Sequence, residues 1–129
     1  MTERDQRNTR QRAAIRGAFE NAGRPLSPRQ ALEAASKEAR GIGIATVYRN
    51  IRALVEEKWL ASIELPGAPA VYERAGKRHH HHFHCERCGG VFELAGCLPR
   101  IHRLAGRQFS VTRHELVLYG LCAGCKARR

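Results

Sequence analysis

Apolar residues recur at helical spacing at Ala13, Ala14, Ile15, Ala18 and Phe19, and Asn21-Ala22-Gly23 followed by Pro25 supplies a stop. The pattern predicts a first helix from Thr9, preceded by a polar arm over residues 1–8. Ser27-Pro28 is an N-cap followed by proline at the first helical position. Ala31, Leu32, Ala34 and Ala35 carry a second helix on to about Arg40. Gly41 and Gly43 break the chain, and a third helix opens at Ile44 with Val47, Ile51, Leu54 and Val55 on one face. Thr46, Tyr48, Arg49 and Arg52 fall on its outer side. The period then shortens: residues 59–65 and 70–74 read as strands around a Pro66-Gly67-Ala68-Pro69 turn, which makes a hairpin.

Three helices and a hairpin are the order of a winged helix-turn-helix, in which the helix after the turn enters the major groove. Tyr48 and Arg49 lie near the N-terminus of that helix. Arginine can pair bidentately with guanine, and tyrosine can pack on a thymine methyl or bond a phosphate. A solvated amphipathic helix would carry the same face, so the element order is what favours DNA. Ala75-Gly76-Lys77-Arg78 reads as a hinge, giving a domain over 1–74, a hinge over 75–78 and a second domain over 79–129. In the second domain, residues 83–85 and 91–94 are strand-like. A short helical pattern covers 98–104, and residues 109–118 read as one long strand.

A chain of 129 residues makes one or two small domains with little apolar core to spare. It has neither an apolar run long enough to span a bilayer nor a signal-peptide pattern, so a soluble cytoplasmic protein without a membrane partner is expected. The net charge of +11 points to a polyanionic partner. Residues 1–74 carry a net +4 and residues 75–129 a net +7, so charge alone does not say which half meets nucleic acid.

The C-terminal half carries the candidate chemistry. Cys85-Glu-Arg-Cys88 and Cys122-Ala-Gly-Cys125 are two knuckles, each able to grip one side of a metal ion, and together they complete the tetrahedron of a structural zinc site. The gap between them exceeds a zinc-finger spacing, so a small sheet lies inside the clip. Two disulfides or two unrelated reduced pairs are the alternative. His79-His80-His81-His82 runs into the first knuckle. In an extended strand His79 and His81 face one way and His80 and His82 the other, so the run can serve two metals. Glu73 and Glu93 are candidate hard ligands, and Cys97 and His114 candidate soft or borderline ones.

Ala45-Thr46-Val47-Tyr48-Arg49, Val71-Tyr72-Glu73, the histidine run leading into Cys85-x-x-Cys88, the stretch His114-Glu115-Leu116-Val117-Leu118-Tyr119-Gly120 and Cys122-x-x-Cys125 together resemble the ferric uptake regulator (Fur) superfamily. The resemblance covers essentially the whole chain. It implies an α+β protein: an N-terminal winged helix-turn-helix, then a small α/β dimerisation domain with a four-cysteine zinc clip. It also implies a homodimer that binds a palindromic double-stranded DNA operator when its regulatory metal is present, with no small-molecule substrate. Tyr48 and Arg49 fall on the family's base-reading positions, with Thr46 and Arg52 on the same outer face. Arg12 falls where a basic residue approaches the minor groove or backbone.

Glu73, His80, His82 and Glu93 fall on the family's interdomain sensing site, although Pro25-Leu26 stands where that site often takes a histidine. His79, His81 and His114 match a second site, and counting back from His114 by the family's spacing makes Cys97 its fourth ligand. Three histidines and a thiolate suit zinc better than iron or manganese, which favour oxygen ligands. The resemblance is therefore to the zinc-uptake branch, with Zn2+ as regulatory metal ahead of Fe2+ or Mn2+. An iron-, manganese- or peroxide-responsive regulator of the same family is the alternative. Two other classes fit less well. A zinc deaminase would use His84-Cys85-Glu86 but needs an open metal position. A metal-storage protein would leave the winged half idle.

Overall fold

The computed structural model describes residues 2–128 and has the α+β architecture that the sequence pattern implies. The chain forms two compact units, one ending at Gly76 and the other beginning at Lys77.

The N-terminal unit opens with α1 (Glu3–Ala22), which begins well before Thr9. The expected arm over residues 1–8 is therefore corrected. Thr2 Oγ1 accepts from the Asp5 amide at 3.1 Å and the Asp5 carboxylate accepts from the Thr2 amide at 3.2 Å, a capping box that satisfies the first-turn donors. Thr9 is interior, its hydroxyl donating to the Asp5 carbonyl at 2.9 Å. Gly23 ends the helix at φ 64, a left-handed turn that suits glycine.

Ser27 caps α2 (Pro28–Ala35) in a second capping box, with Gln30. This helix stops short of Arg40 because Lys37 and Glu38 donate three residues back, to Ala34 and Ala35, and tighten the chain into turns. After Gly43, α3 (Ile44–Glu56) lays Val47, Ile51 and Leu54 into a core shared with Ile15, Phe19, Leu26, Ala31 and Leu60.

Strands β1 (Leu60–Ile63) and β2 (Val71–Arg74) pair antiparallel, with Leu60 opposite Arg74 and Ile63 opposite Val71. Leu26 and Tyr72 exchange backbone hydrogen bonds of 2.9 and 2.8 Å, tying the wing to the segment between α1 and α2. Trp59, expected as the first residue of β1, instead closes the turn after α3, its ring under the guanidinium groups of Arg16 and Arg74 at 4.7 and 4.0 Å.

In the C-terminal unit β3 (His81–Cys85) is the centre of a three-stranded sheet. It is flanked by β4 (Val91–Leu94), antiparallel, and β5 (Val117–Gly120), parallel. A 3-10 turn, Ile101–Ala105, and a closing helix, α4 (Ala123–Ala127), complete it. The expected long strand over 109–118 is corrected to the four residues of β5. Its ladder partner starts at His82, opposite Val117. The Leu116 carbonyl still accepts from the His82 amide at 3.3 Å, and residues 109–115 precede the pairing. A Cβ on Gly120 would meet the Phe83 ring at 3.3 Å, so glycine lets β5 lie close over β3.

Candidate metal centres and nucleic-acid interface

The clip is built by two tight turns brought together by the parallel pairing of β3 and β5. Cys85 ends β3 opposite Gly120, and Cys122 follows two residues later as the N-cap of α4. One sulfur from each of the four cysteines lies within 4.8 Å of the others, and Cys88 Sγ and Cys122 Sγ are 3.9 Å apart. A disulfide would need about 2.05 Å, whereas tetrahedral zinc with Zn–S bonds of about 2.3 Å separates its sulfurs by about 3.8 Å. The geometry fits the ion.

Backbone amides of Cys88 and Cys122 point at Cys85 Sγ from 3.5 and 3.4 Å, and the Gly90 amide points at Cys88 Sγ from 3.4 Å. The Cys88 and Cys122 amides lower the Cys85 thiol pKa to about 5, whereas burial pushes that of Cys125 up to about 12. One group of four thus contains both a ready thiolate and a thiol that coordination would deprotonate. All four corners are cysteine, and His84 is not among them; its ring stands edge-on to Tyr119 at 5.6 Å. The deaminase arrangement, with an open position, is absent from this cluster. Arg87, which sequence reasoning did not single out, donates from Nη1 to the Cys125 carbonyl at 3.0 Å and braces one knuckle against the other.

A second cluster forms on one face of the histidine segment. His79 Nε2 and His114 Nε2 are 3.0 Å apart, His81 Nε2 and His114 Nε2 3.2 Å, and Cys97 Sγ lies 3.5, 3.3 and 3.1 Å from the three nitrogens in chain order. Zn–N bonds of about 2.0 to 2.1 Å and a Zn–S bond of about 2.3 Å imply edges of about 3.3 to 3.6 Å. The four atoms thus sit at about the corners a zinc ion requires.

Cys97 reaches the cluster three residues past the end of β4. His114 arrives from the irregular segment before β5. His81 is almost fully buried, and that burial, followed by the neighbouring His79 and His114, lowers its pKa below the usual 6.5. It therefore remains a neutral ligand at neutral pH.

The opposite face carries His80, His82 and Glu93. His82 and Glu93 are direct cross-strand partners, and the His80 and His82 rings are 4.8 Å apart. His80 Nδ1 lies 2.7 Å from the Arg78 carbonyl, which can only accept, so the proton sits on Nδ1 and the lone pair on Nε2. Lys77 Nζ, another residue the sequence did not flag, pairs with Glu93 Oε2 at 3.1 Å. A cation at that carboxylate stands where a metal would draw charge. Glu73 lies on β2 of the N-terminal unit, opposite Ala61.

In the N-terminal unit Thr46, Tyr48, Arg49 and Arg52 lie on the outer side of α3, Tyr48 half exposed and the two arginines exposed. They divide between two hollows. Arg12, Arg16, Thr46 and Arg49 line a cleft of about 570 Å3 between α1 and α3, while Tyr48 and Arg52 line a smaller one toward the wing with Ser62 and Tyr72. Thr46 Oγ1 accepts from Arg49 Nη2 at 3.1 Å, which orients the guanidinium along the helix.

The Ferric uptake regulator family pattern matches residues 3–119. The ferric uptake regulation protein of Campylobacter jejuni is 36% identical over 91 residues, 68% of this chain and 58% of that protein, so the chain spans less than two thirds of that relative's length. A solved zinc-bound manganese uptake regulator superposes with a TM-score of 0.74 at 26% identity, covering 95% of this chain and 89% of that one. The Helicobacter pylori ferric uptake regulator Fur, whose structure reveals three functional metal binding sites, superposes with a TM-score of 0.68 at 26% identity, covering 90% and 79%. A winged three-helix unit, a cysteine-clipped sheet carrying alternate histidines and a family pattern running through both have one common reading: the chain belongs to the ferric uptake regulator family.

Proposed function

We propose that this chain is a zinc-responsive, DNA-binding transcriptional repressor that controls metal-uptake genes as a homodimer on a palindromic operator in the cytoplasm. Its family is one of transcription regulators, not enzymes. The observation that carries the zinc reading is the convergence of His79, His81, Cys97 and His114 within 4.8 Å. A thiolate among three imidazoles favours Zn2+ over the harder Fe2+ and Mn2+. In the clip, Zn2+ would cross-link four thiolates and add its binding free energy to folding.

Glu73, His80, His82 and Glu93 are the proposed regulatory set, and the two imidazoles and Glu93 on one sheet face support it. Lys77 would have to leave Glu93 as the metal enters. The dimer reading is supported by Leu118 and Tyr119 of edge strand β5, both about half exposed. By linkage, operator DNA tightens regulatory metal binding by the same factor that metal tightens DNA binding.

An iron or manganese reading draws on the oxygen ligands Glu73 and Glu93, and one titration separates the two. Protein holding only its clip zinc is titrated with buffered Zn(II), Mn(II) or Fe(II) while anisotropy follows a labelled duplex from its own promoter. Zinc should raise affinity at the lowest free concentration, and loss of that rise in Cys97→Ser would make the second cluster, not the Glu73 set, the regulatory one. Activation by Fe(II) or Mn(II) with Cys97→Ser silent would replace the zinc reading.

A further inference from the structure

The segment expected to be a loose arm is the first two turns of a capped helix, and its basic residues are in register with the cleft beside α3. Arg4, Asn8, Arg12 and Arg16 recur every fourth residue, and such positions form one slowly turning stripe along a helix. Asn8, Arg12 and Arg16 line the same cleft as Thr46 and Arg49. Arg4 continues the stripe two turns beyond Arg12, a rise of about 12 Å. It lines a separate depression with Arg7, Arg10 and Glu3.

Three guanidiniums against one carboxylate leave that depression basic. The other nearby carboxylate, Asp5, is engaged in the cap, 2.7 Å from Thr2 Oγ1. One residue past the stripe's midpoint, Gln11 is buried and donates from Nε2 to the Arg40 carbonyl at 3.1 Å, locking α1 to the turn that precedes α3. The overhang is thus held at a defined place relative to the N-terminus of α3.

We propose that this overhang is a second DNA contact, in which Arg4 and Arg7 bind backbone phosphates flanking the half-site read by α3. The inference rests on the DNA-binding reading above and extends it. Charge complementarity and continuity with the Arg12–Arg49 cleft identify the occupant as duplex phosphate. A helix fixed by a capping box and by Gln11 presents its arginines on an ordered backbone, so binding does not have to freeze a flexible arm. Phosphate contacts position a protein without reading sequence. The overhang should therefore raise affinity for any duplex.

The test uses the full-length zinc-loaded protein, a duplex from its own promoter and a scrambled duplex of equal composition, with anisotropy read over a fourfold range of KCl. Each phosphate contact contributes about −0.9 to the slope of log affinity against log salt. Arg4→Gln with Arg7→Gln should flatten the slope by about 1.8 per protomer on both duplexes, so the variant loses about twelvefold less affinity per protomer across that range. Gln is a good helix former, and unchanged far-UV circular dichroism would show α1 intact. Arg107→Gln, an exposed change in the C-terminal unit, should leave the slope as it is. A wild-type slope in the double variant with promoter preference retained would overturn the overhang contact alone. Wild-type protein that binds neither duplex would overturn both this inference and the DNA-binding reading.

Discussion

Arg49 and Cys97 show how much one side chain decides here. The Arg49 guanidinium is aimed along α3 by its hydrogen bond to Thr46. Arg49→Ala should weaken binding to the promoter duplex by about 1 to 3 kcal/mol, as for a lost bidentate base contact, while leaving scrambled-duplex affinity almost unchanged. Competition anisotropy measures both. This outcome is the reverse of that expected for Arg4 and Arg7, whose loss should act on every duplex alike. In the proposed second site Cys97 would act through softness: a carboxylate at its place would make a harder site, and a thiolate there would favour zinc. The family's spacing back from His114 had singled Cys97 out, whereas nothing in the sequence singled out Lys77 and Arg87. Their partners, Glu93 and Cys125, lie 16 and 38 residues away in sequence, and no local pattern reports such pairs.

At the scale of elements, the helices follow their local signals closely. Ser27-Pro28 starts α2, Gly43 precedes α3, and the apolar stripe of α3 is the face that is buried. Helix α2 ends at Ala35 and not near Arg40, β1 starts one residue after Trp59, and the two larger departures are α1 and β5. Helix α1 starts at Glu3 because a Thr-x-x-Asp cap outweighs the lack of apolar residues there, a signal present in the sequence but masked by the polar composition around it. That cap is pH-sensitive. The Thr2 side chain, then its backbone amide, hold the Asp5 carboxyl below its ordinary value of 3.8. A lowered acid stabilises the fold above its unfolded pKa, and the contribution is lost as pH falls through the folded pKa. The helical Cα shifts of residues 3–6 should therefore decline below pH 4, while those of residues 14–19 persist; Thr2→Ala should cause the same fraying at pH 7. Strand β5, by contrast, is shorter than its apolar run because a strand extends only as far as a partner runs beside it.

For the molecule as a whole, the two units differ in what holds them. The N-terminal unit buries Ile15, Phe19, Leu26, Val47, Ile51, Leu54 and Leu60 in one cluster. Among the described residues of the C-terminal unit, the buried apolar side chains are Val91 and the clip's own Cys85 and Cys125. Such a core is small against chain entropy, so a metal held by the clip and burial of β5 in the proposed dimer would each add to folding. If the clip holds the proposed zinc, chelation should unfold the C-terminal sheet while the α1–α3 helical signal survives. Circular dichroism with tryptophan fluorescence from Trp59, in the N-terminal unit, would separate the two. Loss of both signals together would show instead that the units unfold as one.

The sequence by itself determined the order of elements, the two cysteine knuckles and the division of four histidines between two faces. These depend on neighbours a few residues apart, on helical or strand period and on turn chemistry. Tertiary structure alone decided the distances at which Cys97 and His114 meet His79 and His81, that Lys77 occupies Glu93, and where the Arg4 end of the stripe is held beside the α1–α3 cleft. Those outcomes depend on where β4, the irregular segment before β5 and the capped first turns of α1 come to rest. Packing and pairing between distant parts of the chain set those positions, and residue spacing does not encode them.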